Sequence, residues 1–228
     1  MAIHYSNMNQ PNALISKSAV NIEFFFDCSS PWTYIAFRQL QKLAQELQVP
    51  VVWRPVLVGG IFNSVNQGIY AAREDPNSAK NRYLLKDVQD SAREAGLVIH
   101  FPPTVFPVNS VKAMRACLWT AHDATAQGHY LAFVEGTFAA YFTRDQDISR
   151  DEVLAAVCNA ATIDASALLT GITHAGIKAQ LKANTDEAIE RGAFGSPTFF
   201  VGNDMYFGSD RLALVKSAVL RARGQAGI

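Results

Sequence analysis

The stretch from Val20 to Leu57 constrains what this chain can fold into more than any other. Val20-Asn21-Ile22-Glu23-Phe24-Phe25-Phe26 is short, aromatic-rich and stopped by Asp27, the pattern of a buried strand. Ser30-Pro31 then opens a helical pattern in which Tyr34, Phe37, Leu40, Leu43, Ala44 and Leu47 share one apolar face, and Val49-Pro50 closes it. Val51-Val52-Trp53-Arg54-Pro55-Val56-Leu57 reads as a second strand. A helix-length crossover between two strands predicts a parallel pair in a right-handed β-α-β unit.

The texture changes after Gly59. Residues 79–95, 110–126, 130–142, 150–159 and 172–190 carry helical spacing, mostly separated by Gly, Pro, Asp or Asn. Residues 100–107 hold three prolines, too many for a helix or a central strand, and predict a loop that packs its aromatics. Strand character returns in Thr198-Phe199-Phe200-Val201 and Met205-Tyr206-Phe207, joined by the hairpin signal Gly202-Asn203-Asp204. A final helix is expected over 209–223. The layout is β-α-β, a helical insertion, then β-β-α. Neither sheet half can bury its faces alone, so the two must meet in space. The fold class is therefore α/β with a large all-helical insertion. The expected division is a leader over 1–19, a sheet domain from 20–58 plus 191–228, and an inserted helical domain over 59–190.

Charge narrows the partners. Among 228 residues, Lys+Arg and Asp+Glu both number 20, so nothing electrostatic points to nucleic acid or an anionic membrane. The first twenty residues are polar and lack the charged start and apolar core of a secretion signal. No apolar run is long enough to span a bilayer. Cys28, Cys117 and Cys158 form no C-x-x-C and no disulfide framework, which predicts a reducing, cytoplasmic setting. The five histidines show no metal-ligand spacing, and G-x-G-x-x-G is absent, so neither a metal nor a dinucleotide is expected.

Three short segments can carry chemistry. Asp27-Cys28-Ser29-Ser30-Pro31-Trp32-Thr33 lies where the first strand hands over to the first helix, where open α/β sheets place ligand crevices. A helix N-terminus favours an anion, and Ser30 would place a hydroxyl there to donate to a thiolate; Ser with Pro at the next position is equally standard capping. In Gly195-Ser196-Pro197-Thr198, a proline entering an apolar strand suggests a cis bond. That bond would present the Ser196 backbone to a peptide-like ligand, whereas the plainer reading is a loop before an edge strand. Phe207-Gly208-Ser209-Asp210-Arg211 offers a carboxylate and a hydroxyl to a zwitterionic ligand, or merely caps the last helix. Cys28 reads as a small buried residue, since nothing nearby supplies a base.

Taken together, S-P-x-T, a distant G-S-P-T-F-F-V and F-G-S-D-R resemble the kappa-class glutathione transferases and bacterial 2-hydroxychromene-2-carboxylate isomerases. These form the non-redox branch of the DsbA-like thioredoxin superfamily. The resemblance extends to Trp53 through Phe62 and Phe106 through Arg115. It implies a thioredoxin-like domain with an inserted helical domain, a homodimer, and glutathione in the cleft between the domains. It makes Ser30 the catalytic serine facing the glutathione sulfur, and puts Thr33 where a second redox cysteine would stand. Ser196 and Pro197 would then pair with the cysteinyl part, and Ser209 and Asp210 would hold the γ-glutamyl end. Asn66 matches a loop asparagine and is expected to contact glutathione, although that loop is one residue short and has Asn63 where a lysine is common. Trp32, Phe62, Asn109 and Arg115 are expected around a small aromatic or electrophilic substrate. The implied activity is isomerisation of the 2-hydroxychromene-2-carboxylate type. The alternatives are a kappa-like transferase or peroxidase and a non-catalytic binding module, while disulfide exchange is disfavoured by the missing thiols.

Overall fold

Three consecutive phenylalanines can be buried only if both faces of their strand are covered. In a computed structural model described for residues 20–68 and 78–224, strand β1 (Ile22–Phe26) lies inside a four-stranded sheet of order β2-β1-β3-β4. β2 (Val51–Pro55) pairs parallel with β1, Ile22 opposite Val51 and Phe26 opposite Pro55. β3 (Thr198–Val201) pairs antiparallel on the other side, Glu23 opposite Phe200, and β4 (Asp204–Phe207) completes the hairpin. Gly202 takes φ 59° in the connecting turn, a conformation that favours glycine. The two sheet halves thus meet as the sequence requires. The expected leader, 1–19, lies outside the described residues.

Side-chain alternation splits the core in two. Ile22, Phe24 and Phe26 face one way with Phe199, while Phe25 and Phe200 face the other. The first face is covered by α1 (Pro31–Leu47) and α9 (Leu212–Ala222), and by α5 (Tyr130–Phe142) from the helical region. The second is covered by Ile61 of α2 (Val58–Val65) and Ala188 of α8 (Ala175–Glu190). Phe138 joins α5 to the sheet and α1: its ring stacks on Tyr34 with centroids 5.0 Å apart and lies 6.4 Å from Phe26.

The remaining helices are α3 (Ala79–Ala95), α4 (Val111–His122), α6 (Asp151–Ala160) and α7 (Ala165–Gly171). Several boundaries differ from expectation. The strand expected to reach Leu57 stops at Pro55, because the Leu57 N–H goes to Thr185 Oγ1 and the Val58 N–H to Asp27. The helix expected over 110–126 ends at His122, since Asp123 Oδ1 takes the Thr125 and Ala126 N–H groups into a turn. A 3-10 turn, Gln127–His129, follows. The helix expected from 172 starts at Ala175, and α7, not anticipated, is capped by Asp164 accepting from Ser166 and Ala167 N–H. The last helix divides into a 3-10 turn, Ser209–Arg211, and α9. The proline-rich loop packs Phe101 edge-on to Phe106. Among the described residues no helix is long and apolar enough to cross a membrane.

Close packing makes one small residue decisive. A Cβ on Gly171 would lie 2.0 Å from Trp119 Nε1, so that ring must move. Ala gains up to about 1 kcal/mol over Gly in a helix, less at a helix end, and overpacking costs about 1–3 kcal/mol. Gly171→Ala is expected to lower stability by roughly 1–2 kcal/mol on these magnitudes, read as an earlier urea midpoint with unchanged slope.

Candidate functional site

β1 ends in a fully buried carboxylate, Asp27. Its Oδ1 accepts the Ser29 N–H at 2.9 Å, and its Oδ2 accepts the Val58 N–H at 2.9 Å and the Ser110 hydroxyl at 3.0 Å. Its own N–H donates to the Ser196 hydroxyl at 3.1 Å. One residue therefore ties together the β1–α1 turn, the starts of α2 and α4, and the segment entering β3. Burial pushes the Asp27 carboxyl above its ordinary value, and the three donors pull against that rise.

Ser30 caps α1, its Oγ accepting the Thr33 N–H at 3.3 Å, with Pro31 in the first turn. The same hydroxyl donates to the Ser196 carbonyl at 3.3 Å. The Ser196–Pro197 peptide is cis, and Thr33 Oγ1 lies 2.9 Å from Ser196 Oγ. Ser30, Thr33, Ser196 and Pro197 thus converge at the positive end of a 17-residue helix with no acidic residue in its first turn.

Ser209 and Asp210 join this group through the backbone, because the Gly208 N–H donates to the Pro197 carbonyl at 3.1 Å. Gly208 sits at φ 108°, and a Cβ there would lie 2.6 Å from Asp210 Oδ1, so glycine is required. Capping does not account for the pair: neither the 3-10 turn nor α9 receives a side-chain cap bond. The Asp210 side chain is 68% exposed and pairs with Arg211 at 2.6 Å.

The other expected residues are placed variously. Asn66 follows α2 and donates its amide to the Phe194 carbonyl at 3.0 Å, holding that loop against the segment that leads to Pro197. Phe62 approaches the same segment at Gly195. Trp32 is half-buried against the main core. Asn109 and Arg115 are outside the hydrogen-bonded cluster. Asn109 Oδ1 accepts the Val111 N–H at the start of α4, and Arg115 lines a cavity of about 280 Å³ with Lys178 and Lys182. Cys28 is fully buried, its N–H directed at Met114 Sδ, and desolvation together with the neighbouring Cys117 pushes its thiol well up. It is a core residue, as are Cys117 and Cys158. Asp27 and Ser110 were missed. The available signal was a carboxylate ending a strand buried on both faces, a group that must find donors.

A sequence profile described as the DSBA-like thioredoxin domain matches residues 21–220. The chain belongs to the DsbA-like thioredoxin family. The 2-hydroxychromene-2-carboxylate isomerase of Pseudomonas putida is 28% identical over 200 residues, 88% of this chain and 94% of that protein. Glutathione S-transferase kappa 1 of Homo sapiens is 27% identical over 207 residues, 85% of this chain and 88% of that protein. A solved 2-hydroxychromene-2-carboxylate isomerase matches with a TM-score of 0.72 at 27% identity, over 90% of this chain and 96% of that one. In this DsbA-like chain the positions of Ser30 and Thr33 hold hydroxyls, and the three cysteines are buried elsewhere.

Removing the Asp27 carboxylate leaves one buried donor, on Ser110, and two part-buried ones, on Ser29 and Val58, and an unpaired buried donor costs about 1–3 kcal/mol. Asp27→Ala is expected to destabilise the protein by at least ~2 kcal/mol on that scale, and Asp27→Asn, which keeps one acceptor oxygen, by less. Denaturant unfolding of both variants checks the order.

Proposed function

We propose that this chain is a glutathione-dependent isomerase of the 2-hydroxychromene-2-carboxylate type, acting as a cytoplasmic homodimer in aromatic-compound catabolism. The observation that carries the reading is the Ser30 hydroxyl on the Ser196 carbonyl beside cis-Pro197, with the segment that carries Asp210, a carboxylate that caps nothing, tied to Pro197 through the Gly208 N–H. Similarity to isomerases at 28% and to a kappa transferase at 27% supports it. The three buried free thiols accord with a reducing compartment.

The residues fit glutathione group by group. Asp210, exposed and paired with Arg211, would hold the ammonium of the γ-glutamyl end, and Ser209 its carboxylate. The Ser196 carbonyl would accept a peptide N–H, in the manner of a short β-ladder. In the structure that carbonyl is engaged by Ser30 Oγ. An N–H arriving there competes with Ser30, whose hydroxyl is then released toward sulfur. Asn66 would keep the neighbouring loop in place, while Trp32, Phe62, Asn109 and Arg115 are proposed around the second substrate.

When bound, glutathione supplies a thiolate whose reversible addition to an unsaturated substrate allows a bond to rotate before elimination. Ser30 and the α1 N-terminus stabilise negative charge at that point, and the rigid Asp27 network holds them without reorganisation. A kappa-like transferase or peroxidase would use the same residues, differing in the second substrate.

Titration calorimetry with glutathione is the test. Wild type is expected to bind, and Asp210→Ala to bind about tenfold more weakly, a change of ~1.4 kcal/mol. Ser30→Ala is expected to retain affinity within about threefold while losing most thiolate ultraviolet absorbance at neutral pH, since the hydroxyl acts on charge more than on docking. Absence of wild-type binding overturns the proposal. Turnover of 2-hydroxychromene-2-carboxylate with glutathione recovered unchanged distinguishes isomerase from transferase, which accumulates a conjugate.

A further inference from the structure

β2 forms one edge of the sheet, bonded to β1 on a single side. The Ile22 N–H donates to the Pro50 carbonyl and the Val56 N–H to the Phe26 carbonyl. In a parallel ladder of that register, Val52 and Arg54 turn their backbone groups toward β1, and Val51, Trp53 and Pro55 turn theirs outward. Pro55 has no N–H, and its carbonyl accepts the Asn184 amide at 3.0 Å. The outward N–H and C=O of Val51 and Trp53 receive no hydrogen bond among the described residues.

Val51 and Trp53 line a half-open cavity of about 360 Å³ between α4 and α5 on one side and α8 on the other. Leu118, Tyr130 and Leu131 form one wall, and Gln180 and Asn184 the opposite one. Three buried polar atoms of the lining residues, Arg54 Nε, His122 Nδ1 and Tyr130 Oη, also have no hydrogen-bond partner among the described residues. Charge plays little part in the lining. Arg54 is committed to Glu187 at 2.6 Å and Glu23 at 3.5 Å, and burial lowers the His122 pKa, favouring the neutral imidazole. The volume is that of a small-ligand pocket.

We propose that this cavity binds a short extended peptide segment, which adds to the outer edge of β2 as a fifth strand. The Trp53 N–H and the Val51 and Trp53 carbonyls supply the main-chain ladder, the recognition mode of strand addition. Alternation along the incoming strand places successive side chains against opposite walls. One set meets Leu118, Tyr130 and Leu131, and the other meets the Gln180 and Asn184 amides. The preferred ligand is therefore uncharged, with apolar and polar side chains alternating. The site shares no residue with the Ser30 cluster, and its occupation does not depend on the glutathione reading.

The test uses the full chain and a capped leucyl-glutaminyl-leucine tripeptide, followed by amide NMR. Saturable shifts are expected at 51–54, 118–122 and 127–132, with slowed exchange of the Trp53 amide. Ala132→Trp, at an exposed lining position, is expected to weaken binding at least tenfold while leaving glutathione titration unchanged. Ser30→Ala is expected to bind the peptide as wild type does. A peptide with its central amide N-methylated should bind at least tenfold more weakly. Equal binding of the methylated peptide, shifts centred on the Ser30 cluster, or no saturation at millimolar peptide would each overturn the proposal.

Discussion

A carboxylate with no access to water must be surrounded by donors, and at Asp27 those donors come from parts of the chain that are far apart in sequence. Ser29 is two residues away, Val58 thirty-one and Ser110 eighty-three, and the Asp27 N–H reaches Ser196 across 169 residues. Withdrawing any one segment leaves a buried charge or a buried donor unpaired, which is costly in a low dielectric. The junction between sheet and helical region is thereby held by a polar centre, with the apolar contacts of Phe138 against Tyr34 and Phe26 lying alongside it. Apolar packing alone tolerates small slips, whereas hydrogen bonds to two carboxylate oxygens fix both distance and direction.

That rigidity matters because the site above Asp27 is made of weak donors. A serine hydroxyl and a helix N-terminus contribute partial charges, and they act strongly on an anion only if already aimed. Ser30 serves two purposes at once, accepting from Thr33 as a cap and donating to the Ser196 carbonyl. Accepting as a cap leaves the hydroxyl hydrogen available to a second partner, which in the structure is the Ser196 carbonyl. At Asp210, by contrast, no cap bond is made.

The sheet was legible because its rules are local. Three phenylalanines before Asp27, a crossover of helical length and a glycine-containing turn settle pairing and direction with little help from the rest of the chain. The resemblance carried by S-P-x-T, G-S-P-T-F-F-V and F-G-S-D-R points to Ser30, Ser196, Ser209 and Asp210; in the structure Ser30 meets Ser196 directly, and the segment with Ser209 and Asp210 is tied to Pro197 through Gly208. Asn109 and Arg115 illustrate the limit. Their spacing places them at and within a helix, but which neighbour they meet depends on how α4 lies against α8. Asp27 illustrates it in reverse, since a side chain that looks like a strand terminator is satisfied only by partners that tertiary structure supplies.

The same network explains why this site is more than a redox centre with its sulfurs deleted. The Thr33 hydroxyl is 2.9 Å from Ser196 Oγ, which also accepts the Asp27 N–H. A thiol there would be a poor partner for that short contact, because sulfur is larger and a weaker hydrogen-bonding group. Ser196 in turn holds the carbonyl that Ser30 faces. Replacing the two hydroxyls with cysteines would thus disturb the segment around Pro197 before any exchange chemistry began. The hydroxyls at 30, 33 and 196 thus form a set in which each helps to fix the next.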